Sequence, residues 1–297
     1  MAFSIIKAVG AFALMALSAT TALGQTDPLG AAPAARTDNT TIIVGSADFP
    51  ESQLLATIYA KALAAKGIKA ETKLSIGSRE VYIPALLDGS IDLLPEYAGA
   101  TLSYLDKNAT AHSPADVAAA LKAVLPKGVS MLTPSAAQDS DSVAVTRATA
   151  EKYKLKTIAD LSPVASQLVL GGPPEWKTRK EGIIGLKDLY GLEFSSFKSL
   201  DVGGPLTLSA LVNDQVQVAN LFSTDPAIAA NDLIVLEDTK NLFPAQNIVP
   251  VDVVTTTLDA VSAALTTSDL IVMNGRLANH DSFDVVAEEW LTKHKLN

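Results

Sequence analysis

Two stretches lying 125 residues apart constrain the fold of this chain more than any other feature. "ALLDGSIDLLPEY" (85–97) and "ALVNDQVQVANLF" (210–222) align without a gap: Ala85 with Ala210, Leu86 with Leu211, Asp88 with Asn213, Ile91 with Val216 and Tyr97 with Phe222. Each copy reads as a helix end, a tight turn, a short apolar strand and an aromatic at the strand's carboxyl end. Glycines precede each helix, Gly77 in one copy and Gly203 with Gly204 in the other. Any two αβ units share part of such a pattern. Read as a duplication, it implies two similar lobes, each with an aromatic on its rim. In the first copy the apolar run stops at Pro95, which leaves Glu96 and Tyr97 at the strand's tip.

The rest of the chain repeats the same rhythm. "TIIVGS" (41–46), "KAETKLSI" (69–76) and "IDLL" (91–94) read as strands, with helical patterns in "ESQLLATIYAKALAAKG" and "REVYIPALLDG" between them. Asp48 and Glu51 stand at capping-box spacing before the first helix. "SQLVLGG" (166–172), "EFSSFKSL" (193–200), "VQVANLF" (216–222) and "LIVLE" (233–237) continue the series. Strand–helix alternation of this kind belongs to the α/β class, mostly parallel sheets flanked by helices. Ligands of such sheets bind beyond the strands' carboxyl ends. Two facing lobes would therefore form a cleft lined from opposite sides by Tyr97 and Phe222. A ring face with a carboxylate beside it suits an organic cation, which the ring quadrupole attracts.

Composition narrows the function. The 297-residue chain is 48% hydrophobic and 19% charged, enough apolar content for a large core. Its formal charge of −9 argues against nucleic acid as a partner, because that role needs a basic footprint. Residues 1–24 read as a signal peptide, with Lys7 ahead of an apolar stretch too short to span a membrane and "ALG" as the cleavage site. Residues 25–39, rich in Pro, Gly and Ala, read as a flexible leader. With no cysteine there is neither a disulfide nor the thiol that a lipid anchor uses, so an exported, periplasmic protein is expected. No nucleophile elbow, zinc-protease motif or phosphate-binding loop appears, so the chain is not expected to be an enzyme, nor to hold a metal or cofactor.

"VGSADFPESQLLATIYAKAL", "GSREVYIPALLDGSIDLLPEYAGATL", "LTPSAAQDSDSVAVT", "TIADLS" and "LEDTKNLFPAQNIVP" occur in that order. Together they resemble the substrate-binding proteins of osmoprotectant ABC importers, the glycine betaine, proline betaine and choline group, over residues 41–297. The resemblance implies a type II periplasmic binding protein fold: two lobes joined by two crossings, placed near Asp139–Val145 and Val249–Val254. Lobe 1 would comprise 40–140 and 252–297, and lobe 2 residues 141–251. It also implies a monomer that closes on a quaternary amine and docks on a membrane permease.

Carried over by motif, the ligand positions are Asp48, Phe49 and Glu51, then Ser78 and Arg79, then Tyr97. They continue with Asp139 and Asp141, Trp176 and Arg179, and finally Phe222 and Asp225. Tyr97, Trp176 and Phe222 would supply ring faces and the two aspartates would offset positive charge. Arg179 would hold a ligand carboxylate or brace its loop. Asp141 stands where relatives usually carry an aromatic, and Ala100 where they often carry Thr. That exchange of a ring for a carboxylate favours choline-like cations over zwitterionic betaine. A different amine such as ergothioneine, a sensor role on the same fold, and a secreted hydrolase are the competing readings.

Overall fold

Ile42–Gly45, the first β-branched run, is the first of ten strands (β1) in the described part of a computed structural model covering residues 40–252 and 258–297. The expected signal peptide and leader lie outside the described residues. In chain order there follow β2 (Ala70–Lys73), β3 (Leu93–Tyr97), β4 (Ser130–Met131), β5 (Asp141–Thr146) and β6 (Val169–Gly172). β7 (Ser196–Ser199), β8 (Val218–Phe222), β9 (Leu233–Leu236) and β10 (Ile248–Asp252) complete the set.

These strands form two five-stranded sheets of the same design. The first has the order β2-β1-β3-β10-β4 and the second β7-β6-β8-β5-β9. In each, the first three strands are parallel and the fourth runs antiparallel to both its neighbours. Comparing strand starts, β1 to β6 is 169 − 42 = 127 residues, β2 to β7 is 196 − 70 = 126, and β3 to β8 is 218 − 93 = 125. The sequence correspondence is therefore a duplication of topology, and Tyr97 and Phe222 are the last residues of matching strands.

Helices cover both faces of the first sheet because successive strand residues point to opposite sides. Leu93 faces a core that contains Leu54, Leu55 and Ile58 of α1 (Pro50–Ala65) and Trp290 of the helix Phe283–His294. Its neighbour Leu94 faces a second core with Leu86 of α2 (Arg79–Leu87), Leu102 of α3 (Ala98–Leu105) and Leu121 of α4 (Pro114–Val124). The second sheet is similarly covered, with Leu211 of the helix Pro205–Val212 on one core and Leu186 of the helix Gly185–Tyr190 on another.

Four expectations need correction. The third strand does not stop at Pro95; it runs on to Tyr97, with Pro95 directly opposite Pro250 of β10. Neither proline has an N–H, so the two share a non-hydrogen-bonded pair and the ladder loses no bond. The return crossing lies earlier than 249–254, since β10 already belongs to the first sheet at Ile248. Residues 248–251 are thus part of lobe 1, drawn there by pairing with β3, and residues 253–254 lie outside the described residues. The outgoing crossing likewise ends before Asp141, where β5 begins in the second sheet. Between the sheets the two connections run side by side, with a bridge from Gln138 to Asn247 and Asp139 N–H donating to the Gln246 carbonyl. Finally, Asp48 and Glu51 do not form a capping box: Phe49 is the N-cap of α1, with no side-chain cap, and Glu51 turns inward.

Candidate functional site

The loop after β1 leads straight into α1, where Pro50 at the first helical position presets the backbone. Phe49, just before it, is extended and reaches between the lobes. Its ring lies 6.2 Å from Phe222, nearly parallel at 3°, and 5.8 Å from Tyr97, tilted by 37°. A lobe 1 ring thus links the two duplicated aromatics across the cleft. Phe222 keeps its place because Gly203, at φ +62°, has no side chain; a Cβ there would fall 2.6 Å from Phe222 Cδ2. The cleft that these residues line encloses about 630 Å³ counted to its open mouth.

Both arginines of the cleft are already paired. Arg79, at the start of α2, makes a two-pronged bond to Glu96, with Nε–Oε1 at 3.1 Å and Nη2–Oε2 at 2.9 Å. Glu96 has no solvent exposure and also accepts from the Tyr97 backbone N–H. The acid next to Tyr97 is therefore committed to Arg79 and does not face a ligand. Arg179, from the loop after β6, reaches across to Glu80 of lobe 1 at 2.9 Å. It ties the two lobes together, where the expectation was a ligand carboxylate or a brace within its own loop. Beside it Lys180 donates to the Ala109 carbonyl at 2.7 Å, a second tie between the lobes.

The carboxylates tell a different story. Asp139 and Asp141 line the cleft, and among the described residues no cation is bonded to either. Asp141 accepts from Asn220 Nδ2 at 2.9 Å, and burial, with the nearby Glu181 charge, pushes its pKa up to about 6. Asp139 accepts from the Thr224 N–H at 3.1 Å. Burial lifts it well above the usual carboxylate range, and the Glu51 charge lifts it further. Glu51 lies beneath the cleft and not on its surface. It accepts from the Tyr97 hydroxyl (2.9 Å), the Thr224 hydroxyl (2.7 Å) and Asn274 Nδ2 (2.5 Å). Its own pKa is raised by burial, against the pull of those donors. Unpaired negative groups without free cations make a site that attracts positive charge and repels anions.

Of the twelve expected site residues, ten line this cleft, and Glu51 and Asp225 do not. Asp48 and Ser78 form part of its wall, Asp48 exposed and Ser78 half-buried. Trp176 lines it as well, but it is 2% exposed and packs 6.4 Å from Phe243 in the lobe 2 core, so only part of its ring serves the cleft. Asp225 bonds the Ala227 N–H at 2.8 Å and ends its strand's loop instead. Tyr82, Glu175, Asn220 and Gln246 join the lining without having been expected. Asn220 had a legible signal, an amide inside the apolar run "VANLF" (218–222). Gln246 had none, since the residue it touches, Ala100, is 146 positions away.

Residues 40–293 match the family described as the substrate-binding domain of ABC-type glycine betaine transport systems. The chain belongs to this family. Its relatives include the carnitine transport binding protein OpuCC of Listeria monocytogenes, 30% identical over 213 residues, 69% of this chain and 67% of the relative. The glycine-betaine-binding protein of Pseudomonas aeruginosa is 27% identical over 229 residues, covering 71% of each. Among solved structures, one described as a glycine betaine/carnitine/choline ABC transporter superposes with a TM-score of 0.68 at 27% identity. It covers 86% of this chain and 99% of that one. As a member of this substrate-binding family, the chain is a transport protein of the two-lobed fold, and the cleft between its sheets is where that fold takes its ligand.

Proposed function

We propose that this protein captures a quaternary ammonium osmoprotectant between its two lobes and delivers it, from the periplasm, to the membrane permease of an ABC importer. The observation that carries the reading is the meeting of Phe49, Tyr97 and Phe222 around one cleft that also holds Asp139 and Asp141. A quaternary ammonium donates no ordinary N–H bond, so ring faces and nearby negative charge are the means of holding it. Asp139 and Asp141 supply the charge, and the rings supply the contact surface. The Arg179–Glu80 and Lys180–Ala109 ties hold the lobes together once they close.

A thermal-shift screen of the purified chain against glycine betaine, choline, carnitine and proline betaine tests the ligand class. A compound present at a hundred times its Kd stabilises the folded form by about 2.7 kcal/mol, a shift readily seen in the melting temperature. Stabilisation by at least one of the four is expected. A flat response to all of them would remove the quaternary amine from the reading.

A further inference from the structure

Two polar atoms in the cleft are left without a partner among the described residues, the acceptor Asn220 Oδ1 and the donor Gln246 Nε2. Gln246, on the return crossing, is 1% exposed and lines the cleft. Its Oε1 accepts the Ala100 backbone N–H at 2.9 Å, which fixes the orientation of the amide. Exchanging the two ends would set an NH₂ against an N–H, so the Nε2 end must be the one that is free. That Nε2 is buried and has no hydrogen-bond partner among the described residues. A buried donor without an acceptor is costly, and a ligand that brings an acceptor removes the cost.

The neighbours indicate which kind of acceptor fits. Arg79 and Arg179, the guanidinium groups that line the cleft, are taken by Glu96 and Glu80. Asp139, Asp141 and Glu175 add negative charge to the same walls. A ligand carboxylate would meet these acids with only a neutral amide to receive it. A hydroxyl or ether oxygen meets the same amide without that repulsion. We propose that Gln246 is a specificity-determining residue, donating Nε2–H to an uncharged oxygen on the captured cation and so favouring hydroxyl-bearing cations over zwitterions and over cations with no oxygen. The proposal rests on the quaternary ammonium reading above and adds to it the residue that sorts its ligands.

Calorimetric titration of the full chain with choline, glycine betaine and tetramethylammonium tests it, in the wild type, in Gln246→Leu and in Gln246→Glu. The second variant keeps an oxygen for the Ala100 N–H and loses the donor, so it guards against a folding failure of the first. Choline is expected to bind the wild type more tightly than either of the other two. Its advantage over tetramethylammonium should shrink roughly three- to tenfold in both variants, the worth of one neutral hydrogen bond. Using the ratio removes any uniform gain from the added charge of the glutamate. An unchanged ratio in both variants, or a wild type that prefers glycine betaine, overturns the assignment of Gln246 and leaves the cation cleft standing. If none of the three binds the wild type, the quaternary ammonium reading falls and takes this proposal with it.

Discussion

At the scale of single residues, the cleft acids set how the protein answers to pH. Asp141 has a folded-state pKa near 6, raised from its ordinary 3.8 mainly by burial. A carboxyl raised in this way binds its proton more tightly folded than unfolded, so the contribution of Asp141 to stability is greatest in acid. It falls as pH climbs from about 4 to about 6 and levels off above that. A bound cation reverses the preference because it favours the ionised acid. We therefore expect choline affinity to rise between pH 5 and pH 7, as Asp141 gives up its proton, and to flatten beyond. In Asp141→Asn the rise should be smaller, and paired titrations of the two proteins across that range check it. Asp139, also lifted by burial and by the Glu51 charge, leaves some slope in the variant.

Residues also show where reading the sequence reached its limit. The aromatics were legible because strand ends repeat: Tyr97 and Phe222 occupy one position in two copies of a motif. Glu96 was misplaced, since its adjacency to Tyr97 in sequence suggested a shared target. In a strand, neighbours point to opposite faces, and Glu96 turns to Arg79. Glu51, expected on the cleft wall but lying beneath it, and Gln246, not expected there, have another cause. Their partners, Thr224 and Ala100, come from segments 173 and 146 residues away, and no local pattern encodes such a meeting.

At the scale of elements, the segment after β6 helps join the lobes, alongside the bonds that Thr224 of lobe 2 makes with Glu51 and Asn274 of lobe 1. It carries Arg179 and Lys180 to Glu80 and Ala109 of lobe 1. The pair with Glu80 is partly exposed, at 27% and 46%, so it adds little to overall stability, about 1 kcal/mol or less. Its value lies in favouring the closed arrangement, which a ligand also favours. Arg179→Ala should leave the melting temperature of the free protein nearly unchanged and speed ligand release by about two- to fivefold, in keeping with a tie of that strength. Stopped-flow displacement would measure the release. An equal effect on both quantities would mean that Arg179 supports the lobe and not its closure. The strand–helix alternation made these elements predictable as a class. The brace was not, because Arg179 was judged within its own loop and its partner sits on a helix of the other lobe.

For the whole molecule, the two sheets share a design but differ in how the chain supplies them. The fourth strand of the second sheet, β5, directly precedes the rest of its lobe, so residues 141–246 run without interruption. The matching strand of the first sheet, β10, comes only after all of the second lobe has been traversed. A fragment of residues 141–246 is expected to show cooperative melting alone, whereas a chain stopped at residue 246 should not form its first lobe. Circular dichroism of the two fragments tests the contrast.

That arrangement imposes an order on assembly during synthesis. While the ribosome is still making the middle of the chain, β3 and β4 have been translated but the strand that belongs between them has not. Their backbone edges stay open to any stray strand until Ile248–Asp252 is released, which makes the unfinished amino-terminal lobe the part of the nascent polypeptide most in need of a chaperone's cover.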